Sequence, residues 1–147
     1  LGFIHRTMMA MMYKAVKKKG VSAEGKEFLA SKEFLDYMRK ESRKVGAANL
    51  KRVANTGKRF YLGELNISNG VMAMGYNLDS TEIQSLLKTY ESCDWGEGWE
   101  DAKINEAAIR SGHGDVIGIY RLDGKEVWIQ TDLNEDPQTT IFLPEER

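Results

Sequence analysis

At Gly57 the spacing of apolar residues changes from about 3.6 residues to about 2, which switches the expected structure from helix to strand within one chain. Before that point Met8, Met9, Met12, Tyr13 and Val16 recur at helical spacing with Lys14, Lys17 and Lys18 turned away, and Gly20 ends the pattern. The Met-rich stripe reads as core filler, with an adaptable partner surface as the alternative. Ser22 caps a short turn carrying Phe28 and Leu29. Ser31 caps a longer helix that turns Phe34, Leu35, Met38 and Val45 inward and runs on, kinked at Gly46, through Leu50 and Val53.

After Gly57 two strand-like runs, Arg59–Ile67 and Val71–Leu78, flank Ser68-Asn69-Gly70, where Asn-Gly predicts a tight hairpin turn. Asp79-Ser80-Thr81-Glu82 has the spacing of a capping box, and the helix that follows presents Ile83, Leu86, Leu87 and Tyr90 before ending near Ser92. Trp95-Gly96-Glu97-Gly98-Trp99 is a glycine-hinged loop, and Glu100–Ser111 is a further helix ended by Gly112 or Gly114. Asp115–Leu122 and Lys125–Leu133 form a second hairpin around Asp123-Gly124, and Thr139–Leu143 is a last strand closed by Pro144. Clustered hairpins predict an α+β fold: N-terminal basic helices, then an antiparallel sheet of about five strands with helices on one face. At 147 residues one domain is expected, with a basic helical part over 1–57 and an acidic part over 58–147.

Charge divides at nearly the same place. Leu1–Arg59 holds fifteen Lys and Arg against five Asp and Glu, and Phe60–Arg147 holds six against seventeen, so a formal total of −1 conceals halves near +10 and −11. Such a split points to nucleic acid, an oppositely charged protein, or self-association as a homo-oligomer. The single cysteine, Cys93, excludes an internal disulfide, no Cys/His spacing fits zinc, and no cofactor is implied. No apolar run approaches the ~18–20 residues of a membrane span, and Lys17–Lys19 follow the N-terminal apolar residues, the reverse of a secretory signal, so a cytoplasmic protein is expected.

Three constellations carry functional readings. On the Ser31–Asn55 helix, Lys40, Lys44 and Lys51 share a stripe with Arg39 and Arg43 beside it, a rigid array suited to phosphates without base readout; the bland alternative is a solvated face. Trp95, Glu97 and Trp99 form an aromatic and acidic patch for a basic protein, as an immunity or inhibitor protein would use, or else at least one indole folds into the core. His113, between two glycines, with Asp115 to orient it and Cys93 or Ser111 as nucleophile, is the enzyme reading, ranked third because helix termination accounts for the glycines. Asp132, Glu135 and Asp136 match no calcium-loop spacing and read as a solubilising turn.

The C-terminal sequence Trp128-Ile129-Gln130-Thr131-Asp132, then Asp136-Pro137, Thr139-Thr140 and Leu143-Pro144-Glu145-Glu146, resembles the ending of small uncharacterised proteins of bacterial mobile elements, that is plasmids, phages and integron gene cassettes. The resemblance covers about 35 residues. It implies a bacterial accessory protein and brings no catalytic residues with it.

Overall fold

The computed structural model describes residues 31–147, so the helix expected around Met8–Val16 and the turn at Ser22–Leu29 lie outside the described residues. The chain falls into two compact units, Leu1–Lys44 and Val45–Arg147. Helix α1 (Lys32–Val53) runs across the division without a break. Ser31 caps it as expected, its Oγ accepting the Phe34 N–H at 3.2 Å. Phe34 is buried, but Leu35 and Met38, expected inward, are 42 % and 41 % exposed. The apolar face is therefore narrower than the spacing implied.

In the second unit Gly46 is a contact point. A Cβ there would collide with the Ser111 carbonyl oxygen, so the missing side chain lets the backbones of α1 and of the helix ending at Ser111 approach closely. Asn49, buried nearby, donates to the carbonyls of Gly112 and Asn134, both at 2.9 Å.

The sheet has four strands, β1 (Glu64–Ile67), β2 (Gly114–Leu122), β3 (Lys125–Leu133) and β4 (Gln138–Phe142), in the order β1-β4-β3-β2. The fold is α+β, but the sheet is mixed, because β1 pairs parallel to β4. The Asn69-Gly70 hairpin does not form, and the expected strand Val71–Leu78 is absent. Ser68 instead caps helix α2 (Asn69–Ala73), accepting the Val71 N–H at 3.2 Å, while Val71 is fully buried. From the far end of the chain the Glu146 carboxylate accepts the Gly70 N–H at 3.0 Å and the Ser68 hydroxyl at 2.6 Å. Two backbone bonds, Glu64 N–H to Pro137 O and Ser68 N–H to Ile141 O, then bracket β1 against β4. The Asp123-Gly124 turn forms as expected, with φ of 53° and 77°, and joins β2 to β3 in antiparallel register.

One core lies on one side of the sheet. Val116, Val127, Ile129 and Ile141 from the strands meet Val71 of α2, Ile83, Leu87 and Tyr90 of α3 (Thr81–Glu91), and Ala108 and Ile109 of α4 (Ala102–Ser111). The capping box before α3 does not form. Ser80 is the N-cap residue, its Oγ accepts from Asn77 N–H, and no side chain caps the first turn. Through the middle of the core runs a chain of hydroxyls. Tyr90 donates to Val116 O at 2.9 Å, Thr139 donates to Leu62 O at 2.6 Å, and Thr131 stands 2.7 Å from both. Since carbonyl oxygens have no hydrogen to give, the one Thr131 hydrogen serves Tyr90 or Thr139 in turn.

Candidate functional site

Arg39, Lys40, Arg43 and Lys44 are all exposed on α1 within the first unit, and Lys51 is exposed where the same helix belongs to the second. At about 100° per residue, Arg43 lies about half a turn round the helix from the buried Phe34, Lys40 about a third of a turn and Lys44 about a quarter. Two of the cations are shared within the helix: Arg39 is 3.7 Å from Asp36 and Lys44 is 3.4 Å from Glu41. Such exposed pairs contribute roughly 0–1 kcal/mol and exchange readily for another anion. Lys40, Arg43 and Lys51 have no ion pair among the described residues.

The two indoles of the glycine-hinged loop take opposite fates. Trp95 is 7 % exposed and packs on Tyr90 at 5.7 Å, ring edge to face, and Phe60 joins the same cluster. Trp99, on a short 3-10 turn (Trp99–Asp101), is 70 % exposed. The loop between them is held by its backbone along the free edge of β2. Glu97 N–H donates to Ile119 O at 2.8 Å and Ile119 N–H to Trp95 O at 3.0 Å, an isolated parallel bridge outside the four strands. Gly96 and Gly98 allow it because a Cβ on either would press on Ile119. Glu97 faces outward and binds Arg121 at 2.8 Å, which holds the guanidinium pKa above its usual value.

Spacing did not reveal the residue that completes this edge. Asn105, fully buried, donates from Nδ2 to Ile117 O at 2.8 Å and accepts Ile117 N–H at 2.9 Å, pairing both backbone groups as a neighbouring strand would. A sheet edge left open is an aggregation hazard, and here backbone and side chain close it jointly. Arg59 binds Glu106 through two bonds of 2.9 and 2.8 Å, which holds the Glu106 carboxyl below its ordinary range.

The enzyme constellation is not assembled. Ser111 Oγ donates to the His113 carbonyl at 3.0 Å, and Gly112 ends α4 at φ 78°. No hydrogen bond joins the His113 ring to Cys93, Ser111 or Asp115 among the described residues. Cys93 lies instead beside Arg59 and Glu106, where burial pushes the thiol pKa up despite the opposing guanidinium. Asp115 sits opposite Asp132 across β2 and β3. The Asp132 side chain is exposed, yet partial burial of its carboxyl and the facing Asp115 charge push its pKa up. Asn134 ties Asp132 and Asp136 into a turn, and no group of three or more metal-ligating side chains occurs among the described residues. No described helix is long and apolar enough to cross a membrane.

No family model, curated protein or solved structure matches the chain.

Proposed function

We propose that the protein is a non-catalytic binding protein that neutralises nucleic-acid phosphates with the exposed face of α1. What supports this reading is the common exposure of Arg39, Lys40, Arg43 and Lys44 on one helix, with Arg39, Lys40 and Arg43 turned away from the buried Phe34. Cations on a helix give affinity through counterion release and no base information, so binding is indifferent to sequence and steep in salt. With Lys40, Arg43 and Lys44 each on one phosphate, log K against log salt slopes near ~ −2.7 on duplex DNA. Fluorescence anisotropy with two unrelated duplexes tests this: both bind alike, and Lys44→Glu flattens the slope by about one unit. Absence of binding at ~50 mM salt, or affinity untouched by Lys44→Glu, rejects the reading. In this reading the protein is a bacterial accessory protein of a mobile element that works in the cytoplasm.

A second reading has its own observation behind it. Trp99, exposed on a locked turn amid Glu97, Glu100 and Asp101, suits a basic protein partner, since Trp is enriched among the residues that anchor protein interfaces.

A further inference from the structure

Trp99 is the most exposed large apolar side chain among the described residues, and Ile104, five positions on, follows at 62 %. Neither exposure comes from a loose segment. Gly98 N–H donates to Trp95 O at 2.9 Å, Asp101 N–H to Gly98 O at 3.1 Å, and Gly96 N–H to Asp94 Oδ1 at 3.0 Å, while Tyr120 Oη fixes the Asp94 carbonyl at 2.7 Å. The turn is ordered and its indole faces water, an arrangement that costs hydrophobic free energy unless another surface covers it. Such a preorganised anchor loses little conformational entropy on docking.

Charge indicates the occupant. Val45–Arg147 holds ten Lys and Arg against seventeen Asp and Glu, near −7, and Leu1–Lys44 holds eleven against five, near +6. Each copy therefore carries both signs, on separate compact units, and always meets its complement at its own concentration. Lys40 and Arg43 offer cations with no ion-pair partner among the described residues, and a guanidinium or ammonium over an indole adds cation–π attraction. Resting on the second reading above, we propose that the Trp99 turn and the adjoining face of α4 dock the positively charged first unit of a second copy of this chain. The two contacting surfaces differ, so the association is head-to-tail and extends or closes according to its rotation. Complementary charge fixes its register and speeds encounter, while the indole supplies the anchor.

The test uses the full chain, by light scattering and analytical ultracentrifugation at micromolar protein and ~50 mM salt, where screening of exposed charges is weak. Wild type self-associates, and Trp99→Ala and the pair Lys40→Glu/Lys44→Glu each weaken association about 30-fold or more, with circular dichroism and melting temperature showing that both variants stay folded. Mixing the two variants is decisive. Trp99→Ala keeps the basic surface and the Lys→Glu variant keeps the Trp99 surface, so together they form a one-to-one complex that neither forms alone. A wild-type monomer, association that survives Trp99→Ala, or no complex on mixing overturns the proposal, as does capture of a different basic protein by a chain that remains monomeric. Duplex binding unchanged in Trp99→Ala separates this result from the fate of the phosphate-binding reading.

Discussion

Gly70 and Gly124 both follow an Asn or Asp and both read as hairpin glycines, yet the reasons for glycine differ. At Gly124 φ is 77° and nothing lies within 4 Å of an added Cβ, so Gly124→Val costs backbone strain alone, about 1–3 kcal/mol. At Gly70 the backbone is not left-handed, but an added Cβ would stand 2.5 Å from a Glu146 carboxylate oxygen. Gly70→Ala therefore evicts the carboxylate that holds the start of α2. A double-mutant cycle distinguishes the two: with Glu146→Ala already made, Gly70→Ala becomes nearly neutral in thermal melts, whereas Gly124→Val keeps its full cost.

Among the elements, the outer edge of β2 is the clearest case of structure made by unlike parts. Asn105→Ala strands the Ile117 N–H and C=O together, and an unsatisfied buried polar group costs about 1–3 kcal/mol, so denaturant melts should show a loss at the upper end of that range. Asn105→Asp sets a buried carboxylate oxygen against the Ile117 carbonyl, so at neutral pH its loss should be at least as large as that of Asn105→Ala and should shrink at acid pH, where the protonated carboxyl can donate. The β2–β3 ladder carries the opposite kind of feature. Asp115 and Asp132 face each other as like charges, and such a pair costs roughly 0.2–1 kcal/mol. The raised Asp132 pKa fixes the sign: its folded value exceeds the unfolded one, so the favourable protonated state is fully present below the ordinary carboxylate pKa and lost as pH rises through the raised value. Asp115→Asn should raise stability at pH 7 and have no effect at pH 2. NMR titration of Asp132 in that variant should show its pKa moving down towards normal.

For the second unit as a whole, the hydroxyl chain Tyr90–Thr131–Thr139 ties α3, β3 and β4 to the backbone carbonyls of Val116 and Leu62. Burial pushes the Tyr90 phenol pKa far up, so the hydroxyl stays a donor across the working range of pH. Thr139→Val takes from the Leu62 carbonyl its hydroxyl donor and Tyr90→Phe removes the second donor to the Val116 carbonyl and the bond to Thr131, so each should cost about 1–3 kcal/mol. Because Thr131 has one hydrogen for two neighbours, removing either neighbour lets it commit to the other. The double variant should thus lose more than the sum of the single losses, by about 0.5 kcal/mol or more in chemical denaturation.

Local chemistry alone determined the second half of the sheet. Alternation over Asp115–Leu133 and an Asp-Gly pair two residues long act within about twenty residues, and the β2–β3 hairpin formed in the expected place. The Ser31 cap, the end of α3 near Ser92 and the inward turn of one loop tryptophan were legible for the same reason. Long-range contacts decided the rest. Asn69-Gly70 carries as strong a turn signal as Asp123-Gly124, but Glu146, 76 positions away, supplies acceptors that a helix start needs and a hairpin does not, and β4 takes β1 in parallel. The basic face was visible from helical spacing, and all five of its cations are exposed. Which tryptophan remained outside was not visible, because each stands between one glycine and one acidic residue, Asp94 and Gly96 for Trp95 and Gly98 and Glu100 for Trp99. The pairing of the loop with the edge of β2 turned Trp95 to Tyr90 and Phe60 and left Trp99 in water. A periodic pattern specifies which face of an element is apolar, and only the packed fold specifies what each face meets.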